Sequence, residues 1–242
     1  MSNPILNERA LEAERVLTSE PMTVNGSINK TFILLGLLAI GSFANWSLFY
    51  QGAMDKVMAL TTVGFIAAIV SFIIIMFNKN SLKYTAPIYA VSEGFLLGGV
   101  SAMIEQTYPG IAIQAIGLTI MAMFSMLVLY KGRVIKCTEK FRSTLLIATL
   151  SVLVIYLVNF IGSFFHMQIP YLFTSNSIGL GFSVVVVIIA ALNLIIDFDF
   201  IERGSEALLP KNMEWYGAFG LMVTLVWLYI EILNLLAKMR DR

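Results

Sequence analysis

Seven stretches of about 20 predominantly apolar residues follow one another along this chain, at 31–50, 57–77, 84–105, 111–130, 144–166, 178–201 and 214–237. That is the length at which a helix crosses the hydrocarbon of a bilayer. Inside hydrocarbon every backbone N–H and C=O needs a partner within the protein, so only helices and closed barrels can span. Barrel strands alternate polar and apolar residues over about ten positions, whereas these stretches are apolar on every side. The expected fold is therefore all-α, a polytopic membrane bundle of seven transmembrane helices. Composition agrees: 13% of residues are charged, where a soluble chain carries about 25%, and mean hydropathy is +0.84. The first partner of such a chain is the lipid bilayer.

The division expected is a polar N-terminal segment, 1–30, cytoplasmic or at the membrane surface, and a transmembrane domain, 31–242. Ser2-Asn3-Pro4 reads as a helix start, with Asn3 capping and Pro4 in the first position. Ile5, Leu11 and Leu17 alternate with Glu8, Arg9, Glu12, Glu14 and Arg15, the pattern of a short helix lying on the membrane or of a solvated tail. No cleavable signal peptide of the usual build precedes the spans. The net charge of +1 is sorted by loop and forms no basic patch, which argues against nucleic acid. A single cysteine, Cys137, excludes an internal disulfide and a Cys-rich metal site. One histidine, His166, argues against a zinc hydrolase.

Orientation follows from Lys and Arg, which collect in cytoplasmic loops. The loop between spans four and five holds Lys131, Arg133, Lys136, Lys140 and Arg142. Alternation then places the N-terminus, the Lys79/Lys83 loop and the Arg203/Lys211 loop inside as well. Lys238, Arg240 and Arg242 break the rule: span seven either crosses fully and tolerates them outside, or turns back. Gly94, Gly98 and Ala102 recur every four residues along span three, a face on which another backbone can approach closely. Gly217 and Gly220 open span seven.

Four acids lie inside the spans, where a carboxylate costs a few kcal/mol or more and needs a partner. In LNLIIDFDFIERG, Asp197 and Asp199 differ by about 200° around a helix and so point to opposite faces. Asp199 has Arg203 four residues on, the favourable order for an ion pair, and reads as a solvated pair at the cytoplasmic mouth. Asp197 shares its face with Asn193 and reads as inward-facing and functional. Glu231, deep in span seven, has Trp227 one turn back and Asn234 one turn on, with no base within a turn. Glu93, beside Tyr89, Gly94 and Leu97, is open to two readings, a structural hydrogen bond or a further acid along a pathway. Two carboxylates in contact share a proton and form a pH-sensitive latch. Ionised, they make a weak oxygen site suited to Ca²⁺ in transit. No resident cofactor is expected beyond such a transient Ca²⁺.

The pairing of LIIDFDFIE with LYIEILNLL resembles the Bax-inhibitor-1-like family of transmembrane Bax-inhibitor-motif proteins. SNPIL, MTVNGSINKTF and NMEWYGAFGLMVTLVWLYIEILNLL are similar to its bacterial branch. The resemblance covers nearly the whole chain. It implies a seven-helix bundle with the last helix central, in a bacterial inner membrane, acting as a pH-sensitive calcium or cation leak gated by acids on spans six and seven. Asp197 falls on the span-six acid, Glu231 on the span-seven acid and Asn234 on the asparagine after it. Glu93 falls where lifeguard-type members carry an acid. Ile196 stands where the family has tyrosine, and Glu231 where it has aspartate. AAIVSFIIIMF in span two has neither the acid nor the nearby arginine of some members.

The geometry sets a condition on the latch. Asp197 lies near the inner end of span six, and Glu231 lies about 25 Å into span seven. They meet only if helix extends into GSEALLPKNME on one side or the other. Two other function classes compete. An intramembrane aspartyl protease resembles Tyr-Asp on one helix and Gly-x-Gly-Asp on another, but GLGF at 179–182 has no Asp after it. A membrane interaction protein would present residues 1–21 to a quality-control protease or another membrane partner.

Overall fold

The computed structural model describes residues 20–78, 81–165 and 171–241. The expected surface helix within the first 19 residues, Lys79, His166 and Arg242 lie outside them. Seven helices follow in order: α1 (Val24–Tyr50), α2 (Met54–Phe77), α3 (Leu82–Thr107), α4 (Ile111–Lys131), α5 (Glu139–Phe164), α6 (Ser177–Glu206) and α7 (Met213–Arg240). All seven are long and apolar enough to cross a membrane. Phe43, Phe77, Ile113 and Phe164 are among the many large apolar side chains exposed around the outside, where lipid would meet them.

The helices overrun the apolar stretches because helix and hydrocarbon have different limits. α1 begins at Val24, since the Thr23 hydroxyl accepts from Gly26 N–H at 2.9 Å and so caps the helix before the apolar run begins. Thr138 caps α5 and Asn176 caps α6 in the same way. Glu105 reaches forward from α3 and accepts from the N–H groups of Gly110, at 2.5 Å, and Ala112, at 3.1 Å, holding the start of α4. α6 has 30 residues, roughly 45 Å, so it overshoots a hydrocarbon core of about 30 Å.

The small-residue face of α3 packs on α1 as its spacing predicts. A Cβ at Gly94 would stand 2.2 Å from the Leu38 carbonyl oxygen, and one at Gly98 would stand 2.7 Å from that of Ser42. The Ser42 hydroxyl donates to Gly94 O at 3.0 Å across the same contact. α7 packs against α1, α3, α4 and α6 and is the central helix.

At the basic end of the bundle the chain entering α1 is clipped to the α6–α7 loop. Met22 N–H donates to Leu209 O at 2.7 Å, Lys211 N–H to Glu20 O at 3.1 Å, and Lys211 pairs with Glu20. Glu214, 1% exposed, accepts from the backbone and hydroxyl of Thr23 and pairs with Lys30. At the opposite end Asp241, just past α7, accepts from Tyr108 at 3.0 Å and Ser175 at 2.6 Å. α7 therefore runs from one end of the bundle to the other. Its terminal charges are absorbed locally: Arg240 donates to Pro109 O at 2.7 Å and to Gln114 at 3.2 Å.

Candidate functional site

The α6–α7 hairpin decides what faces what. A Cβ at Gly217 would touch Ile201, and one at Gly220 would lie 3.6 Å from Asp197 Oδ1. Missing side chains on α7 thus let α6 come close, and this register sets Asp197 opposite Gly220 with the Thr224 hydroxyl beside its carboxylate. Asp197 Oδ2 is buried and has no hydrogen-bond partner. Asp197 is inward-facing, as its position on the helix implies.

Glu231 is three turns further along α7 than Gly220, roughly 16 Å. Helix does extend into GSEALLPKNME, α6 to Glu206 and α7 from Met213, yet the hairpin register sets Asp197 against Gly220, so the two carboxylates do not meet in this conformation. Glu231, 3% exposed, has its own partners. The single O–H of Tyr156 in α5 is shared between the two Glu231 oxygens, at 2.8 and 2.9 Å, and Trp227 Nε1 donates at 3.0 Å.

Above Glu231 lies a cavity of about 380 Å³, lined among others by Tyr156, Phe173, Ser183, Asn234, Lys238 and Asp241. One stripe of α7 runs from this cavity to the Gly220 that faces Asp197. Gly220, Thr224, Trp227, Glu231, Asn234 and Lys238 alternate spacings of four and three, so they share one helix face. The stripe is legible in the sequence once the search includes Thr224 and Lys238. Tyr156 could not be found that way, because nothing in the α5 sequence distinguishes it from an ordinary aromatic.

Asp199 and Arg203 form the expected ion pair, at 2.9 Å. The pair is not simply solvated, however. Arg142 from α5 binds the same carboxylate at 2.5 Å, Tyr130 of α4 approaches at 3.5 Å, and Asp199 is buried. Arg203 also donates to Cys137 O at 3.0 Å. This cluster fastens the basic α4–α5 loop to α6. Asn193 points to α5, donating to Thr149 at 3.0 Å, and does not bond Asp197. Glu93 is buried on α3 with Tyr89 as its hydrogen-bonding neighbour, and Tyr89 stacks edge-on against Phe219 of α7 at 5.1 Å. Among the described residues, no three His, Cys, Asp or Glu side chains gather as a metal site.

Seven spanning helices around a central last helix, with acids buried on α6 and α7, define a multi-pass membrane protein. The Bax inhibitor 1 like family model matches residues 3–241, and the chain belongs to that family. No curated protein matches the chain.

Proposed function

We propose that the protein is a pH-sensitive leak for calcium or a similar cation, with its N-terminus and basic end in the cytoplasm of a bacterium and its C-terminal end outside. The observation that carries this reading is the polar stripe of α7, which runs from the cavity through Glu231 to the buried carboxylate of Asp197, one of whose oxygens has no partner. The acids act in series beside α7: Glu231 at the floor of the outer cavity, Asp197 of α6 about three turns deeper, and Glu93 on α3. No bond is made or broken. Charged where it stands, Asp197 would be dry, with no counter-charge and the Thr224 hydroxyl as its donor, which costs several kcal/mol. Its ionisation therefore favours a wetted arrangement of α6 and α7 in which water or a cation meets it. A weak site of this kind suits passage more than storage.

The test is calcium flux into liposomes holding the purified protein, compared between about pH 6 and pH 8. Wild type is expected to leak more as pH rises. Asp197→Asn should abolish that dependence, and Glu231→Gln should lower the flux. No calcium flux at any pH would overturn the reading.

A second reading is favoured by the clip at the basic end, which holds the root of the polar N-terminal segment against the α6–α7 hairpin. In that reading the segment is a handle for a quality-control protease or other membrane partner. Deleting the first 19 residues separates the two: flux survives if the protein is a leak, and partner capture is lost if the segment is the handle.

A further inference from the structure

Lys238 ends the polar stripe of α7. A lysine near the end of a spanning helix usually extends its ammonium toward headgroups and water. Lys238 instead turns inward. Its Nζ lies 2.9 Å from Ser183 Oγ, 3.3 Å from Gly179 O and 3.4 Å from Leu172 O, and 6.0 Å from the centre of the Phe173 ring. The oxygens around it are held by tight packing. A Cβ at Gly179 would stand 2.0 Å from Thr174 O, 3.0 Å from Tyr171 O and 3.1 Å from Leu172 O. The turn before α6 therefore wraps its carbonyls around the first turn of that helix, and only glycine leaves room for them.

Carbonyl and hydroxyl oxygens with carboxylates near by are the ligand set of hard cations. Rings of backbone carbonyls also replace a permeating ion's water. Negative charge stands on both sides: Glu231 two turns deeper on the same face, and Asp241 at the rim, held by Ser175 and Tyr108. We propose that the Ser183 hydroxyl and the carbonyls of Leu172 and Gly179 form a cation site at the C-terminal end of the bundle, and that Lys238 is its tethered occupant. The ammonium competes with free cations for the mouth of the stripe. The consequence for flux rests on the leak reading; the binding does not.

The test uses terbium, an oxygen-seeking calcium substitute whose emission is excited by nearby aromatic residues such as Tyr156 and Tyr108. A tethered group competes at an effective concentration of millimolar order, so Lys238→Met should tighten terbium binding by about tenfold or more. Lys238→Arg, which keeps the charge, should bind as weakly as wild type. Ser183→Ala in the Lys238→Met background should reverse the gain. Should Lys238→Met fail to fold, Lys238→Gln takes its place, since an amide still donates to the carbonyls without charge. A charge-removing variant that binds terbium no better than wild type overturns the proposal, as does a gain indifferent to Ser183→Ala. Calcium flux on the same proteins separates the two readings. Tightened terbium binding without flux in any variant keeps the site and discards the leak. Equal flux with unchanged terbium binding keeps the leak and discards the site.

Discussion

Each buried acid in this protein is defined by the donors it meets. Glu231 has two donors, the Tyr156 hydroxyl and the Trp227 indole N–H, while one oxygen of Asp197 has none. A carboxylate that loses a donor in a buried site leaves an acceptor unpaired, at about 1–3 kcal/mol. Tyr156→Phe removes one of the two donors to Glu231 and leaves the ring. It should destabilise the protein by about that amount, visible as a lower midpoint of thermal unfolding in detergent. An unchanged midpoint would mean that water replaces the hydroxyl and that the site is wetter than its burial implies. Asp199 shows the opposite case, a carboxylate with two guanidinium partners, which suits a fastening between α5 and α6.

At the scale of elements, close approach of backbones decides which helices belong together. α1 and α3 meet through Gly41, Gly94 and Gly98, and without those glycines the contact would collide with main chain, which cannot swing aside as a side chain can. Gly94→Ala should therefore separate α1 from α3 and cost a few kcal/mol, within the range of overpacked cores. Gly117→Ala on α4, where no atom lies within 4 Å of the added carbon, should be neutral or stabilising by up to about 1 kcal/mol through helix propensity. Thermal unfolding of the two variants side by side checks the pair. Equal effects would show that helix propensity, and not contact, governs both positions.

At the scale of the molecule, the segment entering the first helix is tied to the loop before the last. Part of that tie titrates. Lys211 beside Glu20 holds its carboxyl below the usual carboxylate range, and Glu20 in turn raises the Lys211 ammonium. A carboxyl lowered in the folded state stabilises above its unfolded pKa and loses that contribution as pH falls through the folded value. The Glu20–Lys211 contact should thus be complete near neutrality, dissolve in acid below the ordinary glutamate titration, and be lost again in alkali as Lys211 deprotonates. Carbon-detected NMR titration of Glu20 tests this: Lys211→Met should move its midpoint back up. A midpoint unchanged by that substitution would show that the pair does not persist in solution.

The number of helices, their crossing of a membrane and the tight face of α3 were all legible in the amino-acid sequence. Each follows from a local rule: hydrocarbon thickness, backbone satisfaction within one segment, and a four-residue repeat of small side chains. The Asp199–Arg203 pair was legible for the same reason, because both ends lie on one turn of one helix. Arg142, Tyr130 and Tyr156 were not, since each reaches its acid from another helix and no spacing along the chain encodes that meeting. The separation of Asp197 from Glu231 belongs to the same class. It depends on how far α6 slides along α7, and Gly217 and Gly220 fix that slide through contacts made only when the two helices pack. Sequence alone determined that this chain buries acids in a seven-helix membrane bundle. Tertiary structure decided which acids are partnered, which one is left over, and that a lysine fills the oxygen cage at the end of their stripe, because those are distances between helices and not along them.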